Sequence, residues 1–328
     1  MRIDYHVLRS RVEAHFRGLG LSPEHARCVS EVLLEAEAEG NFGHGLIRIA
    51  QYTAQLKAGG LNPKPQMSLE QASPGVTLLY ADGAPGPVAG LYAVEVLKEQ
   101  VKRHGIAAVA VRGAGHAGAL SAYVGRLAQA GNVGIAFANT PPALAPGPLL
   151  GTNPIAFGAP AEPYPVIVDT ALSQVSRGKI IVAAKKGEPL PPGWAVDREG
   201  QPTTDAQAAL EGALLPIGGG KGYALAVMVE ILAGVLAGAV ISSELQPPWG
   251  PPEAAARPGL LLLGMDPSAF GKGYKERMAY LVRALEAVGG RIPGWRRALL
   301  RERALREGIV IGNGLLQELV GLGVLPQV

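Results

Sequence analysis

Four short runs constrain this chain more than any other feature: 76–80, 106–111, 133–138 and 166–168, rich in valine, isoleucine and other apolar residues and bounded by turn-forming residues. Runs of this length and composition read as strands. Longer segments of helical composition accompany them at 86–104, 119–130 and 222–239. Strands alternating with helices predict an α/β architecture, though not necessarily a fully parallel sheet.

The first seventy residues read instead as helical. Ser22 before Pro23 supplies an N-cap followed by a favoured first helical residue, opening a helix over 23–39 that Gly40 can end. A second helix is expected over 43–58, stopped by Gly59-Gly60. Helices return at 274–288, 293–306 and 313–321, after a proline-rich surface excursion at 246–256.

At 328 residues and 48% hydrophobic content, the chain can bury a substantial core as one large domain or two smaller ones. The net charge of +3 is mild. Its densest basic cluster, Arg296, Arg297, Arg301, Arg303 and Arg306, is interrupted by Glu302 and Glu307 and reads as a solvated helix face. No nucleic-acid partner is expected from it. Cys28, the only cysteine, cannot form an intrachain disulfide, and no His/Cys/carboxylate spacing reads as a metal site. The first residues lack the apolar run of a secretory signal. The run 223–241 approaches the about 20 residues of a membrane span, but Glu230 and several glycines interrupt it. A buried central helix, no membrane partner and a cytoplasmic protein are expected.

Chemistry concentrates first at His44, Arg48 and Tyr52, four residues apart. On a helix that step places all three on one slowly drifting stripe. An imidazole, a forked cation and a phenol facing one way can hold a small carboxylate and move a proton beside it. Further on, Gly113-Ala114-Gly115-His116-Ala117-Gly118 matches a dinucleotide-binding fingerprint between a strand-like and a helix-like run, so a βαβ unit is plausible there. However, the next strand ends Ala136-Phe137-Ala138-Asn139-Thr140, without the acid that an ordinary Rossmann site uses on the ribose. His116 is either a turn histidine or a proton-transfer group suited to neutral pH. The turn Gly218-Gly219-Gly220-Lys221-Gly222 leads into the long apolar helix. Backbone N–H groups at a helix start beside an ammonium make a seat for a phosphate, although the run is not a Walker loop.

Taken together, these segments resemble the type-2 malate/L-lactate dehydrogenase family. The resembling blocks are Gly43-His44-Gly45 with Arg48 and Tyr52, Gly115 to Gly118, Leu150 to Pro154, Asp169-Thr170-Ala171 with Ser173, and Arg177-Gly178-Lys179. Gly193 to Asp197, Pro202 to Asp205, Pro216 to Gly222, Met265-Asp266-Pro267 and Ile292-Pro293-Gly294 complete the series, nearly end to end. The resemblance implies a non-Rossmann, mixed-sheet NAD(P)-binding fold at 73–289. A helical part made from both chain ends, 1–72 and about 290–328, would flank it. It also implies a homodimer, a small-molecule carboxylate substrate, and NAD or NADP as hydride carrier. His116 and His44 would be the acid/base candidates, with Arg48 and Tyr52 contacting substrate. Thr140, Asp169, Thr170, Ala171, Lys221, Gly222, Pro293 and Gly294 would hold the cofactor. The expected reaction moves a hydride between nicotinamide and a 2-hydroxy/2-oxo acid of malate or lactate type. A cyclic imino-acid reductase, or a catalytically impaired cofactor binder, is the alternative. Three departures from the family pattern stand out: Gly43 where it carries serine, Trp295 where it carries glutamate, and a shortened loop between Pro146 and Leu150.

Overall fold

A seven-stranded mixed sheet runs in the order Ser68–Ser73, Val76–Tyr80, Ile106–Arg112, Leu260–Met265, Val133–Ala138, Ile155–Ala159 and Val166–Thr170. The computed structural model describes residues 1–147, 149–247 and 250–327, with Lys185 described in its backbone alone. Pro148, in the shortened loop, and Pro248 and Trp249, in the proline-rich excursion, lie outside the described residues.

Only Val76–Tyr80 and Ile106–Arg112 pair in parallel, and the Gly86–His104 helix makes the crossover between them. The other neighbours are antiparallel. The strand Leu260–Met265 changes the sequence-based reading most. It lies between Ile106–Arg112 and Val133–Ala138 and is antiparallel to both. The expected βαβ unit around the glycine fingerprint is therefore split, and its two strands never touch edge to edge. Leucine-rich runs suit helix and strand alike, so this strand carried no distinctive local signal.

Alternation along the strands divides the core between the two sheet faces. Val109, Val111, Leu260 and Leu262 face one cluster together with Leu97, Leu127 and the first helices. Ala110, Phe137 and Leu261 face the other, against Ala226, Val229, Ala233 and Ala237. The chain ends meet: Arg2–Ile3 pairs antiparallel with Ile309–Val310, and the terminal ammonium donates to the Ile311 carbonyl at 2.9 Å. A small three-stranded sheet, Ala195–Val196, Pro202–Thr203 and Ala213–Leu214, packs with the helices Arg177–Lys186 and Ala206–Glu211. Asp205 caps the second of these helices.

Two helix expectations need correction. The helix expected over 43–58 is interrupted: Phe42–His44 forms one 3-10 turn and the α-helix starts only at Arg48. Glycines at 43 and 45 disfavour a continuous helix, and the Glu37 carboxylate fixes the break by accepting the Leu46 N–H at 2.9 Å. The long apolar helix, Gly220–Val229 continued as a π-helix over Glu230–Leu236, is not buried all round. Its inner face uses small side chains, while Ile231, Val235 and Leu236 are 51%, 63% and 65% exposed. No helix among the described residues is long and apolar enough to cross a membrane.

Candidate active site

The interruption before Arg48 removes His44 from the helical stripe but not from the cluster. The 3-10 turn brings the His44 ring to 5.6 Å from that of His116, nearly parallel at 19°. His116 arrives from the loop after Ile106–Arg112, where Gly113 and Gly118 take φ of 72° and 75°, open to glycine and strained for other residues. Tyr52 projects from the Arg48–Lys57 helix, and its hydroxyl lies 2.9 Å from His116 Nδ1 and 2.8 Å from the His116 carbonyl oxygen. Arg48, one turn earlier, donates from Nε to the Gly43 carbonyl at 2.8 Å and from Nη1 to Gln51 Oε1 at 2.7 Å. Its Nη2 has no hydrogen-bond partner among the described residues. The fork is thus braced on one side and open on the other. His44, Arg48, Tyr52 and His116 form one cluster.

Its electrostatics follow from burial beside a cation. Desolvation, then Arg48 and then Arg297, pushes His44 down to about 4. Burial, Arg48 and His44 lower His116 well below the ordinary histidine value. Both imidazoles are neutral near pH 7. Burial raises the Tyr52 phenol out of the physiological range, with Arg48 a smaller opposing influence, so it stays protonated.

A second group of expected residues lies at the end of Val166–Thr170. The Ile167 N–H donates to the Pro293 carbonyl at 3.0 Å, placing Pro293 and Gly294 beside Asp169 and Thr170. A Cβ on Gly294 would meet Ile167, so that approach requires glycine. Arg297, a few residues on, donates to the Asp169 carbonyl at 3.0 Å. The Asp169 carboxylate accepts the Ser121 N–H at 2.9 Å. Burial raises the Asp169 carboxyl, opposed by the Ser121 N–H and Arg297. A cavity of about 280 Å³ opens here, lined by Ser121, Tyr164, Ile167, Gly294, Arg297 and Arg301.

Backbone bonds carry the site onward to the remaining candidates. Leu172, after Ala171, donates to the Thr152 carbonyl at 2.8 Å, and the Thr152 N–H donates to Thr140 Oγ1 at 2.9 Å. Ile217 donates to the Leu172 carbonyl at 2.9 Å, which ties the glycine turn before Lys221 to the same strip. Gly218 and Gly219 take φ of 61° and 63°, and Gly222 packs so closely on Ile217 that a Cβ would overlap its backbone. Thr140, Asp169, Thr170, Ala171, Lys221, Gly222, Pro293 and Gly294 therefore lie along one connected band.

Several contributors escaped the sequence reading. Arg297 and Arg301 were expected on a solvated face. Arg297 instead turns inward to Asp169, and Arg301 donates to the Glu35 carboxylate at 2.8 Å, a group that also pairs with Arg126. Arg303 and Arg306 do face outward and pair with Glu307. Glu230 is 8% exposed and accepts from Asn139 Nδ2, Asn153 Nδ2, and the Ser242 N–H and hydroxyl. Asn153, fully buried with φ of 40°, also holds the Thr140 N–H through its side-chain oxygen. Trp295 donates from Nε1 to the Tyr164 carbonyl at 3.0 Å, with its ring edge-on to Tyr164. No cluster of metal-ligating side chains occurs among the described residues.

The chain is similar to known proteins along nearly its whole length. A family model described as malate/L-lactate dehydrogenase matches residues 3–320. A delta(1)-pyrroline-2-carboxylate reductase of Pseudomonas fluorescens is 38% identical over 312 residues, covering 92% of this chain and 93% of the relative. A (2R)-3-sulfolactate dehydrogenase (NADP(+)) of Chromohalobacter salexigens is 39% identical over 313 residues, 93% of each. The crystal structure of delta1-piperideine-2-carboxylate reductase from Pseudomonas syringae pvar. tomato superposes with a TM-score of 0.92 at 36% identity, covering 98% of this chain and 99% of that one.

Proposed function

The chain belongs to the malate/L-lactate dehydrogenase family, and from that premise we propose that it is an NAD(P)-dependent oxidoreductase acting at the carbon beside a small carboxylate. The observation that carries this reading is the meeting of two imidazoles, 5.6 Å apart, with the Arg48 guanidinium, which after burial is the largest influence lowering both. A 2-oxo acid, with its 2-hydroxy counterpart, is the substrate class we favour, of malate or lactate type. A cyclic imine bearing a carboxylate is the second reading, because the pyrroline and piperideine reductases are among the similar proteins.

The residues present fit a nicotinamide dinucleotide. The start of the Gly220–Val229 helix offers free backbone N–H groups beside Lys221, which is exposed and has no ion-pair partner among the described residues. At the other end, Arg297 Nη1 is buried and pairs with Asp169 Oδ2 at 3.9 Å, too far for a hydrogen bond, so its hydrogens are left for a ligand group. When bound, the cofactor supplies or accepts the hydride.

This chain's own groups do the rest. Arg48 grips the substrate carboxylate through the open side of its fork. Burial first and the Arg48 charge second hold both imidazoles neutral; the bound carboxylate offsets the second of these, so substrate itself favours protonation of the acid. His116 then gives a proton to the carbonyl oxygen or imine nitrogen, and in oxidation takes it back. His44, stacked beside it, orients the substrate and polarises that atom. The protein acts as a homodimer, for which the uncovered apolar side of the 220–236 helix provides a surface. Oxidation of NADH and of NADPH, followed with oxaloacetate, pyruvate, other 2-oxo acids and carboxylate-bearing cyclic imines, tests the proposal. Turnover confined to one class selects the substrate. Cofactor binding without turnover of any of them contradicts an active oxidoreductase.

A further inference from the structure

Tyr52 is 1% exposed, and its hydroxyl is spent on His116 rather than turned toward a ligand. A phenol has one proton to give. Two His116 atoms compete for it: the backbone carbonyl oxygen at 2.8 Å and ring Nδ1 at 2.9 Å. The carbonyl can only accept, and no other donor reaches it among the described residues. A buried carbonyl left without a donor is costly, so the phenol proton belongs there. The phenol oxygen then offers a lone pair to Nδ1, which completes the contact only if Nδ1 carries a hydrogen. The buried Gly118 N–H also points at Nδ1, but from 3.3 Å, beyond the about 2.7–3.2 Å of an ordinary N–H donor, so the shorter phenol contact at 2.9 Å decides and the Gly118 N–H is given up in this tautomer.

We propose that Tyr52 is a positioning residue for His116: its phenol holds the ring as the Nδ1–H tautomer and leaves Nε2 to exchange protons. The kinetic consequence rests on the oxidoreductase reading above, whereas the tautomer does not. In the neutral ring Nε2 bears the lone pair and serves as base during oxidation. In the imidazolium, Nδ1–H still donates to the phenol oxygen, so Nε2–H is the proton given during reduction. The substrate atom gains that proton as its carbon gains the hydride, the carbonyl or imine π bond breaks, and His116 returns to the neutral Nδ1–H form. No hydrogen bond between Tyr52 and His116 has to be remade in the cycle. The titratable and charged groups facing His116 are His44 from the 3-10 turn and Arg48 and Tyr52 from the following helix. On the remaining side Tyr123 donates to the neighbouring Ala117 carbonyl. No carboxylate competes for the role of orienting the ring among the groups that shift it.

Nitrogen-15 NMR of imidazole-labelled protein without ligand, with His116 assigned by substitution, reads the tautomer directly. Wild type should show a protonated Nδ1 and a bare Nε2, and Tyr52→Phe should move the ring toward the Nε2–H form. In steady-state reduction Tyr52→Phe should lower the apparent pKa of the essential acid by about one unit, because the lost hydrogen bond is present in both forms and stronger in the charged ring. An Nε2–H tautomer in wild type, or a Tyr52→Phe variant with unchanged tautomer and pH profile, overturns the proposal. Should Tyr52→Phe fail to fold, the wild-type spectrum alone decides. A protein with the expected tautomer that turns over no oxo or imino acid refutes the function and leaves the positioning role intact.

Discussion

Arg48 is second only to burial among the influences on the His116 ring, and it has the same rank at His44. Its Nε and Nη1 contacts to Gly43 and Gln51 brace the fork in place. A lysine there keeps the charge but loses both the brace and the paired geometry. Arg48→Lys should therefore weaken the Michaelis constant for the acid by about 10- to 100-fold, the worth of a hydrogen bond to a charged group. An unchanged value in steady-state kinetics would argue against the clamp. The depressed histidines also make folding pH-dependent. Burial, then Arg48 and Arg297, pushes His44 down to about 4 in the folded chain, from about 6.5 for an exposed histidine. Between those values the unfolded chain binds the proton that the folded chain refuses, so stability is lost as pH falls from about 6.5 toward 4. Thermal melts across that window should show a shallower loss for His44→Gln than for wild type. Parallel curves would contradict a neutral, buried His44.

At the scale of elements, Glu230 connects the π-helix to the strand end at Asn139 and to the turn at Asn153, and Asn153 in turn holds Thr140. Removing its carboxylate leaves the Ser242 N–H and one N–H each of Asn139 and Asn153 without an acceptor, while the second N–H of each amide keeps the Val240 or Ala226 carbonyl, at about 1–3 kcal/mol for each donor left unsatisfied. Glu230→Ala should cost at least about 3 kcal/mol in denaturant unfolding, and a loss well under about 1 kcal/mol would show that the network carries little. This network also marks where sequence reading stops. The Ser22 cap, the strand Val76–Tyr80 and the final helix Asn313–Gly321 were legible because cap chemistry and local periodicity signal them. His44, Arg48 and Tyr52 were legible as a set, but through an expected single helix that glycines and Glu37 interrupt. Arg297 and Glu230 were not legible as site residues. Their partners lie 128 and 91 positions away, and no spacing rule reaches that far.

For the whole molecule, topology was the part least available from local pattern. Placing Leu260–Met265 between two strands from the middle of the chain is a long-range decision, made by burial of leucines on both sheet faces. The same long apolar helix whose inner face closes one side of that sheet leaves Ile231, Val235 and Leu236 uncovered. Burial against a second copy answers that exposure, and the proposed dimer should come apart when it is charged. Wild type should run as a dimer in sedimentation analysis and Val235→Glu as a monomer; a monomeric wild type would remove the proposed interface. The central claim concerns chemistry at one cluster, and a single-turnover measurement addresses it most directly. With reduced nicotinamide bound and the best oxo or imino acid added, the decay of nicotinamide fluorescence should be about 10²–10⁴-fold slower in His116→Ala than in wild type, with cofactor binding retained. A His116→Ala enzyme that transfers hydride at the wild-type rate would contradict the assignment of the proton to this cluster.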